Sequence, residues 1–297
     1  MATTSNASPS SRTYDVVLYG ASGFVGRQTV AYFAQLGKLL KPDGTPLRWA
    51  LAGRSGDKLE AVKKACGEGA RDADVVVADA HDVPALQALA RDAHVVLSTA
   101  GPFALYGSNL VAACVKHGTH YVDITGETPW VHELIARHHN AAAASGTRII
   151  PFCGFDSVPS DLGTWVVATA MQAQFGQACA SVKASYTLRG GVNGGTLASA
   201  LNFMGSEQRG LMDDPFLLNP PGAETPDPAG HADVKLPLYD SDFKAWLGPF
   251  VMAMINTRVV RRSAALLTPS RGKRKLYGND FSYQEYMRFG GGVMAGA

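Results

Sequence analysis

The sequence predicts an α/β fold, in which a Rossmann-like parallel sheet with helices on both faces is followed by a second mixed α/β domain. Short apolar segments alternate with helical segments over the first half of the chain, a pattern typical of parallel βαβ units. The first apolar segment runs directly into three glycines spaced three apart. With 297 residues, of which 18% are charged, the chain is long enough for one large or two modest globular domains.

The first strand and the turn after it predict a phosphate-binding site. Tyr14–Tyr19 reads as a buried strand, and residues 20–26 continue it with Gly-Ala-Ser-Gly-Phe-Val-Gly. The first glycine permits a tight turn, the second leaves room for a pyrophosphate, and the third lets a helix pack close to the sheet. Unpaired N–H groups at the start of that helix would bind the anion. The predicted contacts are Gly20, Ser22, Gly23, Phe24, Val25 and Gly26.

The second strand, predicted at Leu47–Gly53, indicates which dinucleotide is bound. NAD enzymes place an acidic residue at this strand tip, on the ribose 2′-hydroxyl, whereas this chain has Arg54 and Ser55 there. Because a guanidinium pairs with a 2′-phosphate, the sequence favours NADP(H) over NAD(H). The alternative is a solvated surface arginine. Ser55 is also the predicted cap of a helix that runs through Cys66.

The alternation continues to about residue 152. Hydrophobic periodicity predicts three helices and four more strands, with the helices at 83–91, 105–117 and 130–144 and the strands at 73–79, 94–99, 119–125 and 147–152. The carboxyl ends of parallel strands share one edge, where ligands bind. After the fourth strand, the small residues Thr99, Ala100 and Gly101 with Pro102 predict a flat turn beside the nicotinamide ribose or the pyrophosphate.

Polar residues near the same edge are the candidates for proton donation or substrate orientation. We expect the turn after the sixth strand to expose Asp156 and Ser157, with Ser160 as the helix cap. For each carboxylate the alternative is a helix cap or a loop hydrogen bond. The candidates are Tyr106, Asp123, Glu127, Asp156 and Ser157.

Five segments together resemble the saccharopine dehydrogenase-like oxidoreductases, a family that includes the mycobacterial trans-acting enoyl reductases. The resemblance covers about residues 14–165 and implies a Rossmann-like NADP-binding domain followed by a mixed α/β domain that closes over the nicotinamide. The matching segments are residues 20–26, 52–54, 98–102, 121–127 and 153–161.

The resemblance also implies roles for individual residues. The three glycines of the first turn would serve the cofactor, Arg54 would contact the adenosine phosphate, and Thr99 to Gly101 would lie near the nicotinamide. Family members usually continue past the position of Ala297, so we expect the second domain to be incomplete at its C-terminal end. The predicted domains are a disordered tail at 1–13, an NADP-binding domain at 14–158, and a substrate or dimerisation domain at 159–297.

The predicted function is an NADP(H)-dependent oxidoreductase that transfers a hydride to a C=C, C=N or C=O bond, with enoyl reduction of a lipid-type acyl substrate as one form. One alternative is a non-catalytic NADP(H)-binding sensor or adaptor. Another is a semialdehyde-type dehydrogenase with Cys153 as nucleophile, although we expect Cys153 to be a small buried residue.

No tyrosine has a lysine four residues later, which disfavours short-chain dehydrogenases. His132 lacks a second histidine at position 136, so no metal site is expected.

The second half is less informative about chemistry. A helix at 162–175 and a strand at 181–188 are predicted, and a helix is expected to follow the glycine-rich segment 190–196. The proline-rich segment 212–242 predicts a long loop or a lid. The aromatic residues of 276–287 would either line a substrate site or, as the default, pack a sheet.

Composition and the remaining charge clusters bear on partners and location. A net charge of +2 does not favour nucleic-acid binding. The four cysteines lack CxxC spacing, so reduced thiols in the cytoplasm are expected.

Residues 248–255, with Arg258, Arg261 and Arg262 after them, predict either peripheral lipid contact or a buried helix or strand. The basic cluster 271–275 is expected to be a solvated loop. The expected partners are a small-molecule or acyl substrate and a second copy in a homodimer.

Overall fold

The computed structural model describes residues 12–35, 41–187, 207–223, 225–267 and 275–289. The chain divides into two compact units. One comprises Met1–Thr125 and Glu133–Cys153, and the other comprises Gly126–His132 and Gly154–Ala297. The glycine-rich segment 190–196 and residues 271–274 of the basic cluster lie outside the described residues.

The first unit contains a six-stranded parallel sheet with the strand order β3-β2-β1-β4-β5-β6. This order is that of the Rossmann fold, so the predicted fold class is confirmed. The strands are β1 (Tyr14–Tyr19), β2 (Trp49–Gly53), β3 (Asp74–Val77), β4 (Ala93–Ser98), β5 (His120–Asp123) and β6 (Ile149–Ile150).

Helices alternate with these strands, as the hydrophobic periodicity predicts. The predicted helix at 105–117 is two helices, which meet at Gly107. Ser55 occupies the N-cap position of the second helix, but its side chain makes no capping hydrogen bond. The helices are α1 (Phe24–Gln35), α2 (Gly56–Ala65), α3 (Val83–Asp92), α4 (Phe103–Tyr106), α5 (Ser108–His117) and α6 (Thr128–Ser145).

Apolar side chains from strands and helices form the core on one face of this sheet. Leu18 of β1 and Leu51 of β2 pack with Val30 of α1 and Leu59 of α2, and all four are buried. Burying a side chain of this size stabilises the fold by about 1.5–3 kcal/mol. This packing fixes the carboxyl ends of β1 and β2, from which Gly20 and Arg54 follow.

The second unit contains a mixed four-stranded sheet and two long helices. The strand order is β7-β10-β9-β8, with β7 parallel to β10 and the other pairs antiparallel. The prediction of a second mixed α/β domain is therefore confirmed. Its elements are α7 (Val158–Phe175), β7 (Cys179–Tyr186), β8 (Leu238–Asp240), β9 (Ala245–Pro249), α8 (Ala253–Leu267) and β10 (Tyr277–Arg288).

The aromatic residues of β10 pack the second sheet. Tyr277, Phe281 and Tyr283 are buried in a cluster with Val260 of α8, and Tyr286 is buried against β9. The default interpretation of these aromatics is thus the correct one. The apolar segment 248–255 covers the end of β9 and the start of α8. It is only partly buried, because Phe250 and Ala253 are buried whereas Val251 is 68% exposed.

Three arginines of α8 donate hydrogen bonds to the segment 212–231 of the same unit. Arg261 donates to the carbonyl oxygens of Pro215 at 2.9 Å and His231 at 3.0 Å, and Arg258 and Arg262 donate to Met212 O and Leu218 O. Arg258 and Arg261 are buried. Their interpretation as basic flanks for lipid headgroups is therefore wrong, because burial makes both guanidiniums inaccessible to a membrane surface. Among the described helices, none is long and apolar enough to cross a membrane.

Candidate cofactor and active site

The turn between β1 and α1 leaves no space for side chains at two of its glycines. Gly20 has a φ of +83°, and a Cβ there would lie 2.8 Å from Ala100 N. A Cβ on Gly26 would lie 2.2 Å from Gly20 O. Both distances are shorter than a van der Waals contact, so the backbone of the turn, of α1 and of the segment after β4 can approach only because these residues are glycines.

The start of α1 presents unpaired hydrogen-bond donors. Gly23 N–H donates to Gly20 O, and Arg27 N–H donates to Gly23 O, each at 3.0 Å. Within the described ranges, the N–H groups of Ser22, Phe24 and Val25 have no acceptor. These donors lie at the positive end of the helix, which is the arrangement that binds a pyrophosphate.

The segment after β4 forms a second wall beside this turn. Thr99 N–H donates to Tyr19 O at 2.9 Å, and Thr99 Oγ1 donates to Tyr19 O and Gly20 O at 3.2 and 3.3 Å. Ala100 is the residue that a Cβ on Gly20 would meet. The segment Thr99–Pro102 is thus tied by hydrogen bonds to the glycine turn, next to the helix start.

Arg54 is exposed directly after β2. Burial and the Asp79 carboxylate raise the pKa of Tyr19 to about 12, while the charge of Arg54 acts in the opposite direction. Because Tyr19 of β1 pairs with Ala52 of β2, Arg54 follows β2 at the level where the glycine turn begins. An exposed cation at this position can pair with a 2′-phosphate without breaking any ion pair within the described residues.

Asp123 is buried at the end of β5, and its carboxylate accepts hydrogen bonds from neighbouring backbone and side-chain groups. Its Oδ1 accepts hydrogen bonds from Thr125 N–H at 3.0 Å and Phe152 N–H at 3.2 Å, and its Oδ2 accepts from Tyr121 Oη at 2.9 Å. Phe152 has a φ of 62°, which is unfavourable for a bulky residue. The carboxylate thus holds the strained backbone that follows β6, which ends at Ile150, two residues before the predicted end.

Tyr106 lies at the end of α4 and packs against the turn after β3. Its ring meets the His81 ring edge-on, with the centroids 5.9 Å apart. Because β3 is at the opposite end of the sheet from β5 and β6, Tyr106 is not brought together with Asp123. In this sheet order the β2–β3 side is the adenosine side of a bound dinucleotide.

Two candidate residues in the turn before α7 differ in their exposure to solvent. Asp156 is exposed, as predicted, whereas Ser157 is buried and donates to Asn256 Oδ1 at 2.8 Å. The expected exposure of Ser157 is therefore wrong. Ser160 is not the cap either, because it lies inside α7 and its Oγ is 2.9 Å from Tyr186 Oη.

Glu127 is buried in the segment before α6, and its carbonyl accepts from Val131 N–H. The adjacent Thr128 is fully buried, and its hydroxyl has no hydrogen-bond partner among the described residues. Of the four candidates after β5 and β6, Asp123 belongs to the first unit and the other three belong to the second.

Residues 16–150 match the family model described as the saccharopine dehydrogenase NADP binding domain. Over 297 aligned residues the chain is 39% identical to the trans-acting enoyl reductase of Mycobacterium leprae (strain TN), covering 95% of this chain and 67% of the relative. The chain belongs to the family of trans-acting enoyl reductases. A second relative, the trans-acting enoyl reductase of Mycobacterium tuberculosis (strain ATCC 25618 / H37Rv), is 38% identical over 300 residues, covering 97% of this chain and 68% of the relative.

Two solved structures are similar to part of this chain. Apo saccharopine dehydrogenase (L-Glu forming) from Saccharomyces cerevisiae has a TM-score of 0.45 and 20% identity, covering 59% of this chain and 34% of that chain. The structure of AtPrR2 with NADP+ and (+)pinoresinol has a TM-score of 0.34 and 14% identity, covering 58% of this chain and 59% of that chain.

The family assignment makes the protein an NADP-dependent oxidoreductase, and the geometry of the first unit fits that cofactor. The cradle consists of glycines that a Cβ would fill, unpaired N–H donors and one exposed guanidinium. NADP(H) would be held there by Gly20 to Gly26, with Arg54 and Ser55 at the 2′-phosphate. Within the described residues, no three His, Cys, Asp or Glu side chains come together as metal ligands.

Sequence reasoning missed a buried polar network behind the Asp156 turn. Asn256 Nδ2 donates to Asp156 O at 2.8 Å and to Glu285 Oε2 at 3.0 Å, and Tyr283 Oη donates to Glu285 Oε1 at 2.6 Å. Burial raises the pKa of Glu285. The available signal was the spacing, because Glu285 follows Phe281 and Tyr283 at every second position, which places it on the aromatic face of the strand. The network fixes the backbone of the turn from which Asp156 projects.

Cys153 is exposed, so its predicted burial is wrong. Its Sγ lies 3.3 Å from Ile150 O, within hydrogen-bond distance. The thiolate, not the thiol, is the nucleophile in cysteine catalysis.

Proposed function

We propose that this protein uses NADPH to reduce the C=C bond of an α,β-unsaturated, lipid-type acyl substrate. The observation that carries the proposal is the anion cradle between β1 and α1 with the exposed Arg54 beside it. The names of the relatives, trans-acting enoyl reductases, support an enoyl group over a C=N or C=O bond. When bound, NADPH supplies the hydride.

The chain's own residues would divide into three roles. The backbone N–H groups of Ser22, Phe24 and Val25 bind the pyrophosphate, and Arg54 with Ser55 selects the phosphorylated ribose. The segment Thr99–Pro102 lies along the nicotinamide side. Its hydrogen bonds to Tyr19 and Gly20 keep this wall in place before the cofactor arrives, which reduces the ordering cost of binding.

Reduction of an enoyl group also requires a proton, and we assign its delivery to Asp156. Asp156 is exposed, and its backbone is fixed by Asn256. Asp123 and Ser157 are buried and hydrogen-bonded, so they are positioning residues in this proposal. Glu127 is assigned to substrate orientation, and Tyr106 to the adenosine side of the cofactor.

The test of the reaction is the loss of NADPH absorbance with a matched panel of acyl thioesters. We expect turnover with an enoyl thioester and none with its saturated analogue, and slower or no turnover with ketone and imine analogues. NADPH binding without turnover on any member would contradict the proposal and support the sensor alternative. Preference for the imine or ketone would keep the cofactor site but overturn the enoyl assignment.

The proton assignment is tested by Asp156→Asn, with the exposed Asp280→Asn as the matched control. General acid catalysis contributes roughly 10²–10⁴-fold, so kcat should fall by at least about 10²-fold while the Kd for NADPH is unchanged. Cys153→Ser should retain turnover. A large loss in that variant would instead support the semialdehyde-type alternative.

A further inference from the structure

Helix α7 has an unusual composition for a helix at a protein surface. Residues 162–175 contain no charged side chain. The helix buries a narrow stripe formed by Ser160, Thr164 and Ala168, whereas Leu162 and Val166 remain 55% and 57% exposed. Surface helices normally carry charged and polar residues on the face opposite the buried stripe. The exposed face of α7 is therefore the kind that a second surface covers.

The exposed residues of α7 follow the spacing of a helix-packing seam. Leu162, Val166, Thr169 and Ala173 are all exposed, and they are separated by four, three and four residues. This spacing places them on one line along the helix, opposite the buried stripe. We call these four residues the α7 seam.

We propose that the α7 seam pairs antiparallel with the same seam of a second copy of the chain, across a two-fold axis near the middle of the helix. This pairing brings Leu162 opposite Ala173 at each end and Val166 opposite Thr169 at the centre. The largest seam residue then meets the smallest, as interdigitated packing requires. The two central residues are both β-branched and similar in size.

The central threonine is compatible with burial in such a contact. In a helix, the hydroxyl of a threonine can donate to the carbonyl oxygen three or four residues earlier. Its hydrogen-bonding capacity is then satisfied within its own helix, and its methyl group faces the partner. Burying Thr169 against Val166 therefore need not leave an unpaired polar group.

The residues that flank the seam also suit a two-fold pairing. Trp165 is 45% exposed and lies on one side of the seam, and Ala170 lies on the other. The two-fold axis places the two Trp165 rings on the same side, five residues apart along the pair, which is about 7.5 Å. Rings at this offset can pack against each other and against the partner helix. On the other side, the small Ala170 lets the helices approach closely.

A parallel pairing lacks this complementarity, because each residue would face its own copy. Leu162 would then meet Leu162 at one end, and Ala173 would leave a gap at the other. Because residues 162–175 carry no charge, the antiparallel pairing brings no like charges together. The surface is thus complementary to itself, as a two-fold interface requires.

The size of the surface is consistent with a dimer. An 18-residue helix is about 27 Å long. Phe155 lies three residues before the helix and is 89% exposed, so it adds exposed apolar surface next to the first turn. It extends the contact toward the roughly 800 Å² per partner of a standard interface, with Trp165 as a central anchor.

The first test is the oligomeric state of the full chain by analytical ultracentrifugation over a range of concentrations. The wild type should dimerise, and Val166→Glu should be a monomer with an unchanged circular dichroism spectrum. Leu236→Glu is the matched control, because Leu236 is 75% exposed and lies outside α7; it should remain dimeric. A wild type that stays monomeric would overturn the proposal, including one that binds lipid vesicles or another protein through α7. A dimeric Val166→Glu would also overturn it.

The second test addresses orientation. Leu162→Ala should weaken the dimer by roughly tenfold or more, since the substitution occurs in both copies, and Ala173→Leu should weaken it by crowding. The double variant Leu162→Ala, Ala173→Leu exchanges the two facing residues and should recover most of the wild-type affinity. A double variant weaker than both single variants would exclude the antiparallel register.

Discussion

At Gly26 the absence of a side chain determines how closely α1 approaches β1. A Cβ there would lie 2.2 Å from Gly20 O and 2.8 Å from Ala21 Cα, which are both backbone atoms. Backbone cannot move aside as a flexible side chain can. A single residue type thus sets the position of the N–H groups at the start of α1.

We predict that Gly26→Ala destabilises the first unit by about 1–3 kcal/mol, the usual cost of forcing an extra methyl into packed structure. Thermal unfolding measured by fluorescence should show a lower Tm. Gly230→Ala is the control, because a Cβ there meets no atom within 4 Å. Equal Tm values for the two variants would contradict the close approach of α1 and β1.

Arg54 acts at the same scale through its charge. A hydrogen bond to a charged group contributes about 1.5–3 kcal/mol, so Arg54→Ala should raise the Kd for NADPH by roughly 10–100-fold and change the Kd for NADH little. Isothermal titration calorimetry measures both. Arg71→Ala removes an exposed arginine of the same unit and should leave both affinities unchanged. Equal losses for the two cofactors would argue against a 2′-phosphate contact.

At the scale of elements, α8 organises the irregular part of the second unit. Its arginines donate to carbonyl groups that lie 30 to 46 residues earlier in the chain, and Arg258 also pairs with Asp233. A segment rich in proline and aspartate has few backbone hydrogen bonds of its own. Guanidinium groups with several fixed donors replace them.

We predict that Arg258→Ala releases the segment 212–233, with a loss of about 1–3 kcal/mol, because it leaves buried carbonyl groups without their donor. Hydrogen exchange should become faster in this segment and stay unchanged in β1 to β6. Arg288→Ala, at an exposed position, serves as the control. Unchanged exchange in Arg258→Ala would show that the arginine does not hold the segment.

The two edge strands of the second sheet are joined by an ion pair. Lys183 Nζ on β7 lies 2.7 Å from Asp240 Oδ2 on β8, and this hydrogen bond holds the pKa of Asp240 below its usual range. A lowered carboxyl pKa stabilises the fold above the ordinary value near 4, and this stabilisation is lost as the pH falls through the lowered pKa.

Asp240→Asn should therefore lower the Tm at neutral pH, by an amount equivalent to roughly 0.5–1 kcal/mol, because water screens the partly exposed Lys183. The difference from the wild type should shrink as the pH falls below about 4. Calorimetric scans from neutral to acidic pH measure it. A difference that is constant over this range would show that the charge of Asp240 does not contribute.

At the scale of the whole molecule, burial sorts the four cysteines. None of the four forms a disulfide. Cys153 is exposed, Cys66 is partly exposed, and Cys114 and Cys179 are buried. Burial raises the pKa of the Cys66, Cys114 and Cys179 thiols. The thiolate is the reactive form, so these three should react slowly in the folded protein.

Labelling of the native protein with iodoacetamide should modify Cys153 first, and all four cysteines should react after unfolding. Mass spectrometry of peptides identifies the labelled sites. Cys153→Ser should remove the fast phase of labelling. Rapid labelling of Cys114 in folded protein would contradict the packing between α5 and the first sheet.

Much of the fold and of the cofactor cradle could be predicted, because these features depend on residues close together in sequence. The alternation of strands and helices, the glycine spacing and the position of Arg54 are all local. The catalytic candidates could not be resolved in this way. Ser157 is buried by Asn256, which lies 99 residues later, and Asp123 is held by Phe152 and Tyr121. Sequence spacing marks such residues as polar but does not show which atoms they contact.

By itself, the sequence determined the Rossmann-like sheet, the NADP-binding turn and the family, since backbone geometry and hydrophobic periodicity operate within a few residues. Tertiary structure decided which polar groups are available: it exposed Asp156 and Cys153, buried Ser157, and turned the arginines of α8 toward carbonyl groups. The physical reason is that burial depends on contacts between distant segments, and burial sets whether a charge meets water, a ligand or the protein's own backbone.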